Sequence, residues 1–176
     1  MESFKKGDFV EHPKAEWGYG LVLENQKGNQ LKVNFPSVGI KIISLEHVNV
    51  KLAQCPDNLK NELTDSAIMN RIYYAEPFGD IYNDLKQKLN DHVVIIENGI
   101  YFEVLYKDAE LMSKLYGWTV YERSERQPIT GFKDDMTYIF RDLRNKNISY
   151  VLVSQITKKT IDKIERKVSE IFHSRS

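Results

Sequence analysis

The stretch Val93-Val94-Ile95-Ile96-Glu97-Asn98-Gly99-Ile100-Tyr101-Phe102-Glu103-Val104-Leu105 decides the fold of the larger part of this chain. Its first four residues form a continuous apolar run, which suits a strand buried on both faces. Asn98-Gly99 supplies turn chemistry and residues 100–105 a second strand, so the two arms close as a hairpin. Outward from the hairpin, helical and extended patterns alternate. Pro77 opens a helix with Phe78, Ile81, Tyr82, Leu85 and Leu89 at helical spacing. A helix over residues 108–116 stops at Gly117. Residues 118–121 form a third strand, and residues 134–146 a helix with Ile139, Phe140 and Leu143 on one face. Residues 149–154 form a fourth strand. From Thr160 onward, Ile161, Ile164, Val168 and Ile171 recur at helical spacing, so the end of the chain is expected to be a basic helix or tail. Residues 77–176 therefore predict a mixed α/β layered domain.

Residues 1–53 have a different pattern. Short strands are expected at residues 7–10, 19–23, 30–35 and 41–45, separated by Gly28-Asn29 and by Pro36-Ser37-Val38-Gly39. Four or five short strands in so small a span predict an all-β barrel, with Phe9, Trp17 and Phe35 supplying much of its core. Residues 59–72 are compatible with a short helix but have few apolar anchors, and residues 54–76 are expected to be a linker. The expected organisation is thus two domains, residues 1–53 and 77–176, joined by residues 54–76.

Composition narrows the function. The 176 residues hold 25 basic and 25 acidic side chains, which excludes a strongly basic nucleic-acid scavenger. Apolar residues at 41% and charged residues at 28% exclude wholesale disorder. Cys55 is the only cysteine, so an intrachain disulfide, a cysteine zinc site and a CxxC redox pair are all excluded. The first residues lack the apolar core of a signal peptide, and no run approaches the ~18 apolar residues of a membrane span. A cytoplasmic protein without a membrane partner is expected. Residues 157–176 hold six basic and three acidic side chains. They are either an electrostatic contributor to nucleic-acid binding or a solvated face.

Catalytic signatures are missing. There is no phosphate-binding loop, dinucleotide fingerprint, nucleophile elbow or zinc-protease motif. His12 is expected at a turn or barrel rim, and His92 at a helix end, where an imidazolium interacts well with the dipole. Glu165-Arg166-Lys167 has the spacing of some metal-dependent nucleases, but it falls in the expected helical tail. No catalytic residue, metal site or cofactor is expected. In the hairpin, Tyr101 and Glu103 share one face and Phe102 takes the other. With Phe102 in the core, a ring and a carboxylate stand exposed side by side. A ring can stack on a base or wedge between base steps, and a carboxylate can accept a hydrogen bond from a base edge. An ordinary amphipathic strand, with Glu103 paired to a lysine, gives the same pattern.

Two resemblances add to this reading. Asn98-Gly99-Ile100-Tyr101-Phe102-Glu103-Val104-Leu105-Tyr106-Lys107-Asp108-Ala109 resembles the mismatch-recognition motif of the MutS mismatch-repair family, a Gly before Phe-x-Glu and then an aromatic-x-Asp-Ala helix start. Thr130-Gly131-Phe132, Ile139-Phe140-Arg141-Asp142-Leu143, Tyr150-Val151-Leu152-Val153-Ser154-Gln155 and Arg166-Lys167-Val168 continue it. Residues 78–172 are similar to that family's domain I. The resemblance implies that Tyr101 takes the wedge position and Glu103 the acceptor position. Ile100 stands where the family usually has Asp, and Lys133, Asp134 and Asp135 where it has Pro and His. No segment resembles the family's connector, clamp, lever or ATPase domains, so DNA reading without an ATP-driven cycle is expected.

Gly7-Asp8-Phe9-Val10-Glu11-His12-Pro13, Trp17-Gly18-Tyr19-Gly20-Leu21-Val22 and Val33-Asn34-Phe35-Pro36-Ser37-Val38-Gly39-Ile40-Lys41 resemble the C-terminal Tudor-like module of UvrD/PcrA-type helicases. That resemblance implies an SH3-like barrel that docks a protein, in the helicases RNA polymerase. Trp17, Tyr19 and Lys41 are its candidate partner-binding residues, and Phe35 is expected in the core. The combined expectation is a non-catalytic, repair-related adaptor. Its hairpin contacts duplex or mismatched DNA, and its barrel contacts RNA polymerase or a repair protein. The alternatives are a protein-interaction module that has lost DNA recognition and a metal-dependent nuclease.

Overall fold

The computed structural model of the chain describes residues 3–123, 127–133, 136–156 and 164–175. Asp134, Asp135, Thr160 and Ile161 lie outside the described residues. The chain divides into two compact units, Met1–Arg71 and Ile72–Ser176.

The first unit is an antiparallel meander of β1 (Phe9–Glu11), β2 (Tyr19–Val22), β3 (Gln30–Phe35) and β4 (Gly39–Ser44), extended at the β1 edge by β5 (Lys51–Leu52). The strand order is β4-β3-β2-β1-β5, so the last strand returns to pair with the first. Period-two alternation in β1 to β4 turns Val10, Val22, Leu31, Val33, Phe35 and Ile43 into one core, joined by Val50. Phe35 is fully buried, as expected, whereas Phe9 and Trp17 are half-buried. Gly20 has a packing reason. A Cβ there would lie 2.5 Å from Val33 Cγ1 and 2.6 Å from Phe35 Cε1.

Residues 54–76, expected as a linker, instead hold helix α1 (Asp57–Met69) and strand β6 (Ile72–Tyr74). Helix α1 packs on β2 and β3 through only two buried apolar side chains, Leu63 and Ile68. A polar cluster completes the seam. Asn34, fully buried on β3, donates from Nδ2 to Ser66 Oγ at 3.1 Å, and Asn70 Nδ2 donates to Asn34 Oδ1 at 2.8 Å. Each such bond stabilises by about 1 kcal/mol when made, and a buried partner left without one costs more.

The second unit is a seven-stranded sheet in the order β6-β12-β11-β7-β8-β10-β9. Its further strands are β7 (Val93–Asn98), β8 (Tyr101–Leu105), β9 (Tyr121–Arg123), β10 (Gln127–Lys133), β11 (Tyr150–Gln155) and β12 (Glu165–Phe172). Among the described residues, β7 and β11 pair parallel and the other neighbours in this sheet antiparallel. Helices α2 (Phe78–Lys88), α3 (Tyr106–Tyr116) and α4 (Thr137–Asn145) cover it. Val93 to Ile96 are all buried, as the apolar run predicts. Val93, Ile95, Val104 and Tyr150 face Met112 of α3 and Ile139 and Leu143 of α4. Alternation turns Val94, Ile96 and Glu103 to the opposite face. Gly117 ends α3 with φ +69.

Two expectations for this unit are corrected. The strand expected at residues 118–121 begins only at Tyr121, because Trp118 stacks on Tyr116 and its carbonyl accepts from Ser113 Oγ at 2.6 Å. The expected C-terminal basic helix or tail is strand β12 over Glu165–Phe172. The edge of β11 would otherwise be left open, and β12 closes it. Leu152 pairs with Glu170 but Val153 with Val168, so Ser169 is an extra residue in a β-bulge. The bulge puts Ile171 back on the face of Val168, which gives apolar residues a spacing of four and then three. That spacing imitates a helix.

Candidate functional site

The parallel pairing of β7 and β11 brings their carboxyl ends together at one end of the sheet. The β7–β8 hairpin turns there. Asn98 pairs with Tyr101, which leaves Gly99-Ile100 as a two-residue loop, and Gly99 takes φ +63. The loop holds two large apolar side chains in the open. Ile100 is 59% exposed and Tyr101 40% exposed. Ile156, 49% exposed, follows β11 at the same end.

Beneath this tip lies a polar scaffold. Gln155 donates its backbone N–H to Glu97 Oε2 at 2.9 Å, and Gly99 N–H donates to Gln155 Oε1 at 3.4 Å. Arg166 of β12 donates from Nε to the Glu97 carbonyl at 3.2 Å. Its guanidinium lies over the Phe78 ring, 4.6 Å from the centroid. Burial pushes the Arg166 pKa down, while the Glu103 and Glu97 carboxylates oppose that shift. Asn98 Nδ2 donates to Glu103 Oε1 at 2.6 Å.

The expected side-by-side exposure of ring and carboxylate is therefore corrected. Tyr101 is exposed, but Glu103 is buried at 4%. Both side chains lie on one face of β8, but Glu103 is tied down by Asn98 while Tyr101 stands at the exposed end of the strand. Phe102 packs on the core as expected, edge-on to Phe140. Ile100, Asn98, Gln155 and Arg166 were not singled out as site residues from the sequence. For Arg166 a signal existed: Ile164, Arg166 and Val168 alternate with period two, which places a charge on a buried strand face. Glu165-Arg166-Lys167 thus lies on a strand, not a helix. Among the described residues, no group of three or more His, Cys, Asp or Glu is placed to hold a metal ion.

The base of the hairpin is tied to both neighbouring helices. Asp108, at the start of α3, accepts from Val94 N–H at 2.9 Å and from Lys86 Nζ of α2 at 2.9 Å. Burial pushes the Asp108 pKa up, partly offset by the Val94 N–H and by Lys86. His92 does not cap a helix. It is buried after α2, with its Nε2 3.0 Å from His173 Nδ1.

In the first unit, Trp17 stacks on His12 at 4.2 Å and meets Phe35 edge-on at 5.5 Å. His12 is itself buried, and burial pushes its pKa down, with Lys14 adding to the shift. Tyr19 on β2 and Lys41 on β4 are half-buried. Ile42, beside Lys41, is 69% exposed and was not singled out from the sequence.

Against models of known families, residues 76–174 match MutS domain I. Residues 4–53 match a second family, described as Protein of unknown function (DUF3553). No curated protein matches the chain.

Proposed function

The chain belongs to the MutS domain I family, and from that premise we propose that it is a non-catalytic DNA-reading module whose hairpin tip engages mismatched or distorted duplex. Domain I of that family recognises DNA and carries no catalytic centre. The observation that supports the reading here is the exposed pair Ile100 and Tyr101 on a two-residue loop, backed by a satisfied polar scaffold. Apolar side chains on a rigid turn can enter between base steps and kink a duplex. A ring stacked on a base contributes about 1–3 kcal/mol. In the family's motif, Tyr101 holds the wedge position and Glu103 the acceptor position.

The first unit is read as an SH3/Tudor-like barrel that docks a protein, RNA polymerase or a repair factor by the resemblance of its sequence. The return of β5 to β1 supports the barrel. Trp17, Tyr19 and Lys41, all half-buried, are the residues offered to a partner, with the exposed Ile42 beside them; Trp17 also stacks on His12 and meets Phe35 edge-on. A cytoplasmic location is part of this reading.

The test is binding of the full chain to a 30-base-pair duplex, with and without one central mismatch, across a salt series. With equal numbers of acidic and basic residues, matched DNA is expected to bind weakly. A mismatch preference that persists as salt rises supports the reading. No binding even at low salt overturns it in favour of a protein-interaction module.

A further inference from the structure

We propose that His92 and His173 form a two-imidazole clamp for a divalent transition-metal ion that favours right-angled ligands, at the end of the second sheet away from the hairpin. The two rings are 81 residues apart in the chain and meet through the order of the strands. Strand β11 lies between β7 and β12, and Tyr150 pairs with both Val93 and Phe172. Extending that register by one residue sets Ser149 between His92 and His173. Two strand spacings, about 9.6 Å, separate the outer backbones, which suits two imidazoles reaching inward over a small side chain. His92 Nε2 lies 3.0 Å from His173 Nδ1.

Both rings are held from behind. His92 is buried, its backbone N–H donates to the Leu89 carbonyl at 3.1 Å, and its own carbonyl accepts from Lys86 Nζ at 2.7 Å. Asp108 pairs with Lys86, so that nearby positive charge is compensated. His173 is exposed. The residues after it are clipped down, Ser174 N–H to Ser149 Oγ at 2.8 Å and Arg175 N–H to Asn147 Oδ1 at 2.8 Å. One ring is thus fixed inside, and the other closes over it from the solvent side, where an ion can enter.

Neutral imidazole is the commonest side-chain ligand for such ions. With metal–nitrogen bonds of about 2.0–2.1 Å, the 3.0 Å separation subtends about 95° at the ion, whereas a tetrahedral angle needs about 3.3–3.4 Å. A right angle matches the square-planar or tetragonal geometry of nickel(II) and copper(II) better than tetrahedral zinc(II). Among the described residues no third His, Cys, Asp or Glu joins the pair, so water fills the other positions. The hydrogen bond between the rings places a proton on one facing nitrogen. On binding, that proton passes through solvent to the other nitrogen of the same ring, and both facing lone pairs go to the ion.

The experiment titrates the full chain, free of any affinity tag, with nickel(II), zinc(II) and magnesium(II) chlorides in turn, read by calorimetry. One nickel ion per chain is expected, bound more tightly than zinc, and magnesium is expected not to bind. Removing even a residue that supports a metal ligand costs about 10–100-fold in affinity, so His173→Ala is expected to weaken nickel binding by at least about tenfold. His173 is exposed, so this variant keeps its fold. His47→Ala, at an exposed histidine of the other unit, should change nothing. Nickel(II) in water-completed coordination is paramagnetic, and the amide resonances of residues 92, 149 and 173 should broaden before any others. Absence of nickel binding, binding unaffected by His173→Ala or lost in His47→Ala, broadening centred elsewhere, or zinc bound more tightly than nickel would each overturn the proposal.

Discussion

Asn34 and Glu103 are both polar side chains buried in a sheet, one in each unit, and they hold different things. Asn34 bonds neutral partners, Ser66 and Asn70, and the cluster stays inside, seaming α1 to β3. Glu103 bonds Asn98 and its charge favours the Arg166 cation, and the cluster ends at a loop with two exposed apolar side chains. A neutral network that is fully satisfied fixes packing. A charged one is costlier to desolvate, and here it lies directly beneath the exposed tip.

Breaking each network should expose that difference. Trp17 in the first unit and Trp118 in the second report the two units separately by fluorescence during urea unfolding. Glu103→Leu removes a charge that favours the Arg166 cation and should destabilise the second unit by about 3 kcal/mol. Asn34→Ala leaves a hydroxyl and an amide short of a partner and should destabilise the first unit by about 1–2 kcal/mol. Equal losses would mean that the charge on the second network contributes nothing.

The pH dependence sharpens the comparison. Burial raises the Asp108 pKa above its ordinary value of 3.8. In the window just above that value, the folded chain keeps a proton that the unfolded chain has released. Stability from this group therefore falls as pH rises through the window. Asp108→Asn keeps an acceptor for the Val94 N–H and should remove that fall. Urea midpoints measured from about pH 3.5 to 7 check it; an unchanged slope would contradict the assignment.

The hairpin, α2 and the end of α3 were legible because their signals are local: a four-residue apolar run, Asn98-Gly99, Pro77 and Gly117. Helix α1 was legible only as a short helical stretch within a linker, and its packing was not, since it holds on with two apolar anchors and a polar cluster whose key member, Asn34, lies on a distant strand. Strand β12 was misread because a single bulge imitates helical spacing. For the site, alternation placed Tyr101 and Glu103 on one face. It could not tell that Glu103 is buried, bonded to Asn98 and acting on the charge of Arg166 from the last strand, while Tyr101 stays open.

The smallest effect on the fold should carry the largest effect on function. Tyr101→Ala, at an exposed position, should change stability by no more than about 0.5 kcal/mol. The direct measurement is the ratio of mismatched to matched duplex affinity for wild type and Tyr101→Ala at one salt concentration. The account predicts a ratio above one that falls to one in the variant. A ratio unchanged by the substitution, or equal losses on both duplexes, would contradict it.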